Sequence, residues 1–225
     1  MRRLFWLAAV CLILVSLAVS VVQADTLTYN YSVSLQSVGW SEDFTLPQFD
    51  PSLGTLNSIT FTLQGTVNGD AKFESLDAQP STVVMDLSST LQLQRPGGTI
   101  LVQVIPLAST VDNVGAYDGT IDFGGSSGKT YSGLSDTKTD SFISNPPSAS
   151  DLTLFTGTGN IILPVVATAN SSSSGPGSLI TQFSTKASAY ATVVYDYTPV
   201  PEPTGMIAML AGFSGLVGFV RRRRR

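Results

Sequence analysis

Ile59-Thr60-Phe61-Thr62-Leu63-Gln64-Gly65-Thr66-Val67 sets Ile59, Phe61, Leu63 and Val67 on one side of an extended chain. Thr60, Thr62, Gln64 and Thr66 fall on the other. Side chains alternate between the two faces of a β-strand, so a period of two spells a strand with one buried and one solvated face. The same period returns at Leu27, Tyr29, Tyr31, Val33 and Leu35, and at Val83, Met85, Leu87, Leu91 and Leu93. It returns again at Ala187, Ala189, Ala191, Val193, Tyr195 and Tyr197. Apolar runs at residues 100–107, 152–155 and 161–167 suit shorter, more deeply buried strands, and residues 44–46 an edge piece. Outside the two ends, no window of twelve residues shows the three-and-four spacing of an amphipathic helix.

Seven or eight short strands separated by Gly, Pro, Asn and Ser clusters predict one antiparallel β-sandwich, jelly-roll-like or immunoglobulin-like. Ser and Thr supply 49 of residues 25–199, which suits solvated strand faces and turns and disfavours helices. Asn170-Ser171-Ser172-Ser173-Ser174-Gly175-Pro176-Gly177 reads as a flexible loop inside the domain.

The two ends are of another kind. Met1-Arg2-Arg3 is followed by residues 4–22, apolar apart from Ser16 and Ser20, and then by Gln23-Ala24-Asp25. That is the layout of a secretory signal peptide, with cleavage between Ala24 and Asp25 by signal peptidase; an uncleaved N-terminal anchor is the alternative. At the other end, Pro201-Glu202-Pro203 precedes an uncharged apolar stretch, residues 204–220, and five arginines, Arg221, Arg222, Arg223, Arg224 and Arg225. Seventeen residues at about 1.5 Å each give a helix of roughly 25 Å, marginal for a bilayer core of about 30 Å. The arginines read as a cytoplasmic stop. The expected fold class is therefore an all-β sandwich flanked by an N-terminal signal helix and a C-terminal transmembrane sorting helix. The expected domains are residues 1–24, 25–199 and 200–225.

The ordered trio of Pro-Glu-Pro, apolar stretch and arginine run resembles the PEP-CTERM sorting signal. That resemblance implies recognition by an exosortase, a membrane transpeptidase-like cysteine protease, and a transient hold on the membrane through the C-terminal helix before processing. It also implies an extracellular setting of exopolysaccharide, biofilm or floc. Three further segments, Phe49-Asp50-Pro51-Ser52-Leu53-Gly54-Thr55-Leu56, residues 117–128 and Phe155-Thr156-Gly157-Thr158-Gly159-Asn160, are similar in order to the choice-of-anchor type E domain. That bacterial surface module brings no established catalytic activity.

Composition narrows the chemistry further. Residues 25–199 keep five basic residues against fifteen acidic ones, a net charge of −10, so nucleic acid and anionic surfaces are not expected partners. The single cysteine, Cys11, lies in the signal segment, so the exported domain holds together without disulfides. The absence of histidine removes Ser-His-Asp and Cys-His catalysis and imidazole metal ligation.

What remains is carboxylate, hydroxyl and a few lysines. Asp112, Asp118, Asp122, Asp136 and Asp140 make the most acidic region, and Asp118 and Asp122 are the first candidates for a calcium site. No EF-hand pattern accompanies them, and turn formation is the competing reading. Glu42, Asp43 and Glu74 are the candidates for a carboxylate-dependent glycosidase, with Glu42-Asp43 placed in a solvated loop after Trp40. Aromatic faces stack on sugars, but Tyr29, Tyr31, Tyr195 and Tyr197 fall on the core face of their strands. Lys129 and Lys138 flank a Gly/Ser-rich stretch without a phosphate-loop pattern. The expectation is a non-catalytic exported surface or extracellular-matrix protein, with no catalytic residues and no cofactor. A carbohydrate- or calcium-binding adhesive module is the alternative, and a glycosidase a more distant one.

Overall fold

The computed structural model describes residues 23–200, together with 212, 222 and 223. Two compact units divide the chain, one of Thr26–Pro51 and Leu56–Asp196, the other of Met1–Asp25, Ser52–Thr55 and Tyr197–Arg225. Within the second unit, Val200 N donates to Leu53 O (3.0 Å) and the Tyr197 hydroxyl to Asp25 Oδ2 (3.3 Å).

The larger unit is a two-sheet β-sandwich. Ten strands are described: β1 Asp25–Ser37, β2 Trp40–Pro47, β3 Gly54–Ser75, β4 Ser81–Gln94, β5 Ile100–Val104, β6 Leu107–Val114, β7 Gly128–Ser144, β8 Asn160–Ala169, β9 Ser172–Ser174 and β10 Leu179–Pro199. One sheet runs β1-β10-β3-β7, and the other β2-β8-β4-β5 with β6 and β9 also paired to β4. Most of the alternating apolar residues read from the sequence point between the sheets, but Leu35, near the end of β1, is exposed. Ile59, Phe61, Leu63 and Val67 of β3 are buried, as are Val83, Met85, Leu87, Leu91 and Leu93 of β4. Aromatic rings bridge the layers: Tyr31 of β1 stacks on Phe44 of β2 with centroids 5.2 Å apart, and the Tyr195 hydroxyl donates to Pro47 O (3.0 Å).

The fold-class expectation needs correction. Among the described residues no helix is long and apolar enough to cross a membrane. The one helix described there, α1 (Ala149–Phe155), has seven residues. Residues 4–22 and 204–220, to which the signal helix and the transmembrane sorting helix were assigned, lie outside the described residues.

Four local expectations also change. Residues 152–155 belong to α1 and not to a buried strand, because the Ser148 side chain caps the helix by accepting from Asp151 N (3.2 Å). The run at 100–107 is two strands interrupted at Pro106, which has no N–H to donate. Both pair with successive halves of β4, Leu91–Gln94 with β5 and Ser81–Ser88 with β6. The serine loop holds a short strand, β9, paired with Val84–Asp86. Glu42 and Asp43 lie within β2, opposite Val165 and Pro164 of β8.

β7 had no counterpart in the expected strands. It pairs with β3 from Ile59↔Ser144 to Glu74↔Gly128, with a bulge part-way. Gly69 lies opposite Leu134 and Ala71 opposite Tyr131, so Asp70 alone faces Ser132 and Gly133. Gly133 takes φ 68°, the left-handed conformation a bulge of this kind asks of glycine. Tyr131 and Leu134, three residues apart, thereby both pack against the core cluster of Ala71, Phe73, Val83, Met85 and Val114.

Candidate functional site

The acidic stretch at residues 115–128 is organised from beneath by Glu74, at the end of β3. Glu74 is fully buried, at 0% exposure. Its Oε1 accepts the Ser127 hydroxyl (2.6 Å) and its Oε2 accepts Phe123 N (2.7 Å). Phe123 itself has φ 57°, the only non-glycine residue with positive φ among the described residues. A bulky side chain resists that conformation, so the Glu74 bond and the Thr130 hydroxyl, donated to Phe123 O (3.0 Å), hold it there.

Asp118 and Asp122 sit above this anchor and close turns. Asp118 accepts Thr120 N on Oδ1 (3.0 Å) and Ser126 N on Oδ2 (3.3 Å), and Asp122 Oδ1 accepts Gly124 N (2.9 Å). Among the described residues, no group of three or more His, Cys, Asp or Glu side chains is placed to hold a metal ion. Asp112 instead forms an ion pair with Lys129 Nζ (2.5 Å) and accepts the Tyr131 hydroxyl, tying β6 to β7 across the sandwich. Burial alone raises the Asp112 carboxyl, but these hydrogen bonds outweigh it and hold it below the usual carboxylate range. Lys129 is raised by the same pairing.

A second buried carboxylate, Asp151 of α1, takes Arg95 Nε (2.9 Å) and Nη2 (3.2 Å) in a two-pronged bond and the Ser144 hydroxyl at 2.7 Å. Burial again opposes ionisation, and the hydrogen bonds and charge of its partners prevail, so its carboxyl is also lowered. Neither Arg95 nor Asp151 stood out in the sequence, although Ser148-Ala149-Ser150-Asp151 has the spacing of a helix cap.

The glycosidase candidates are divided between the sheets. Glu42 and Asp43 are on β2 of one sheet and Glu74 at the end of β3 in the other. Glu42 accepts a long bond from Gln36 Nε2 (3.4 Å), and both oxygens of Glu74 are already committed. Of the tyrosines read as core, Tyr195 is fully buried and lies edge-on to Tyr29 with centroids 5.9 Å apart. Ala24 is exposed and directly precedes β1. Pro201, Glu202, Pro203, Arg221, Arg224 and Arg225 lie outside the described residues, while Arg222 and Arg223 are exposed.

The choice-of-anchor segments are partly brought together. Phe49 N donates to Phe155 O (2.7 Å) and Gly157 N to Phe49 O (2.9 Å), joining the first and third segments at the end of α1. The second segment is the loop anchored by Glu74.

Beside that loop, a groove of about 210 Å³ opens at the β7 bulge on the outer face of the four-stranded sheet. Asp70, Ala71 and Lys72 of β3, Thr130 and Ser132 of β7, and Gln182 and Ser184 of β10 line it. Asp70 Oδ1 accepts Gly133 N (2.9 Å), and the Lys72 ammonium stands 4.4 Å from the centre of the Phe123 ring.

No protein-family model matches the chain, and no curated protein matches it. Solved structures show loose likenesses. Dimeric latent PorU from Porphyromonas gingivalis is 8% identical with a TM-score of 0.29, over 78% of this chain and 13% of that one. The infectious bursal disease virus VP2 subviral particle is 14% identical with a TM-score of 0.23, over 89% of this chain and 49% of that one. The chain thus spans less than half the length of either. At such TM-scores neither likeness bears on what the chain does.

Proposed function

We propose that the chain is a non-catalytic exported surface or extracellular-matrix protein, delivered by its N-terminal signal and sorted through Pro201-Glu202-Pro203 and the arginine run by an exosortase-type enzyme. The observation that carries this reading is the ordered C-terminal trio, because its parts are uninformative singly and specific together. The described unit is in keeping with it. Its buried carboxylates are spent on structure: Glu74 on a loop, Asp151 on Arg95 and a helix start. The setting that follows is the cell surface or a polysaccharide-rich matrix.

The test is removal of residues 201–225 in the native host, followed by fractionation and intact-mass measurement of the protein. The reading expects the full chain to be cleaved between Ala24 and Asp25 and near Pro201–Pro203, and the shortened chain to change its distribution between envelope and medium. Unaltered processing and location overturn it.

A further inference from the structure

The outer face of the four-stranded sheet is rich in Ser, Thr, Asn and Gln, and some of these groups satisfy one another. Thr66 and Thr137 share a hydrogen bond (2.8 Å), Gln64 donates to Thr139 (3.4 Å), and Thr192 donates to Asn30 (2.9 Å). Asp70 Oδ2 and the side chains of Ser132, Gln182 and Ser184 converge on the groove and make no hydrogen bond to any described residue. The bulge thus sets a recess beside a group of unused donors and acceptors.

The recess is held open on purpose-built supports. Gly133, in its left-handed conformation, turns the β7 backbone so that its N–H fixes Asp70. Buried Glu74 fixes Phe123 in an unfavourable backbone state, and Phe123 in turn takes up Thr130 by its carbonyl and Lys72 by its ring. Two of the six polar side chains in the lining are therefore set by a chain of contacts that begins at a fully buried carboxyl. Bulges and strained non-glycine residues collect where a fold re-aims side chains toward a ligand.

We infer that this groove is a saccharide-binding subsite that takes one uncharged sugar unit of a longer glycan. The chemistry selects the class. A carboxylate accepts from a sugar hydroxyl, an amide both donates and accepts, serine hydroxyls do either, and the Lys72 ammonium donates to a hydroxyl or ring oxygen. Neighbouring hydroxyls on one ring are the ligand that satisfies such a mixed set at once. An apolar ligand would strand these groups, and an acidic sugar would meet Asp70 in a domain of net charge −10. The volume is below the roughly 300–1,000 Å³ of pockets for larger ligands, which suits a single ring with the chain continuing over the open face.

The inference rests on the surface-protein reading, which supplies the setting in which glycans are met. It is tested by affinity electrophoresis of the full chain through gels containing dextran, laminarin or hydroxyethyl cellulose, with alginate as the anionic control. At least one neutral glycan is expected to retard the protein, and Gln182→Ala combined with Ser184→Ala to weaken that retardation at least tenfold. Both residues lie outside the core, so the thermal unfolding midpoint should stay unchanged; Ser34→Ala, elsewhere on the sheet's outer surface, should bind as before. Absence of retardation by all three neutral glycans, equal retardation of the double variant, or stronger retardation by alginate overturns the inference. Each of these leaves the localisation test untouched, so a protein that sorts correctly but ignores glycans refutes the groove alone.

Discussion

Glu74 bears the most consequence of any single side chain here. Burying a carboxyl is costly unless its oxygens are bonded, and both are, to Phe123 N and Ser127 Oγ. Glu74→Ala orphans the buried Ser127 hydroxyl and the part-buried Phe123 N–H, and at about 1–3 kcal/mol for an unpaired buried group, less for the part-buried one, the variant should lose about 2–4 kcal/mol in urea denaturation. An unchanged urea midpoint would show that the loop stands without this anchor. Asp151 makes a pH prediction. Its folded carboxyl is lowered relative to the unfolded chain, so its pairing with Arg95 and Ser144 stabilises fully above the unfolded carboxylate value near about 3.9. That stabilisation is lost as pH falls through the lower folded value. Asp151→Asn should be less stable at pH 7 by about 1–3 kcal/mol, a range discounted because Arg95 is partly exposed, and should show a shallower acid loss below pH of about 4. Parallel stability–pH curves for variant and parent would contradict the assignment. Glu74 could be picked out in the sequence as one of only two glutamates in residues 25–199, yet its role could not be read there. A carboxyl bonded to a backbone N–H 49 residues away leaves no periodic trace.

At the scale of elements, strands whose inner face alternates without interruption were legible, and those with a break were not. β3, β4, β8 and β10 keep their period because each has neighbours on both sides and a fully buried face. β7 is an edge strand, and its bulge puts Tyr131 and Leu134 three residues apart on one side, so the period of two disappears where it is most needed. α1 escaped for another reason: at seven residues it is too short for helical periodicity, and only its cap identifies it. Gly65 of β3 packs against Leu91 of β4 and Val104 of β5 in the other sheet. A Cβ at Gly65 would lie 2.8 Å from both Leu91 Cδ1 and Val104 Cγ2, so an added methyl has to displace those two side chains. Gly65→Ala should overpack the interface at about 1–3 kcal/mol, and Leu91→Ala should open a cavity at about 2–5 kcal/mol. Combined, the added methyl enters the vacated space, and the double variant should be more stable than the sum of the two losses predicts by about 0.5 kcal/mol or more. Strict additivity in chemical denaturation would show that the two residues do not share the contact.

For the whole molecule, the order β1-β10-β3-β7 sets how the larger unit is assembled. β10, the last strand described, lies inside the sheet and hydrogen-bonds to β1 on one side and β3 on the other. Its inward residues Ala187, Ala189, Ala191, Val193 and Tyr195 are all buried. A chain lacking residues 179–199 should therefore show no cooperative urea transition by circular dichroism. A sharp transition at the parent's midpoint would mean the sheet closes without its central strand. No cysteine lies in residues 25–225, so nothing covalent substitutes for that strand.

The place of β10 also has a meaning in time. β1 ends at Ser37 and β10 begins at Leu179, so at roughly 5–20 residues per second the first strand waits on the order of 7–30 s for its neighbour to be made. Throughout that interval its backbone N–H and C=O groups on that side have water as their only partner. The same delay leaves a hydroxyl-rich, threonine- and serine-laden edge open to the wrong strand. Only its outward Thr28, Asn30, Ser32 and Ser34 temper that exposure, because Leu27, Tyr29, Tyr31, Val33 and Leu35 make its other face apolar.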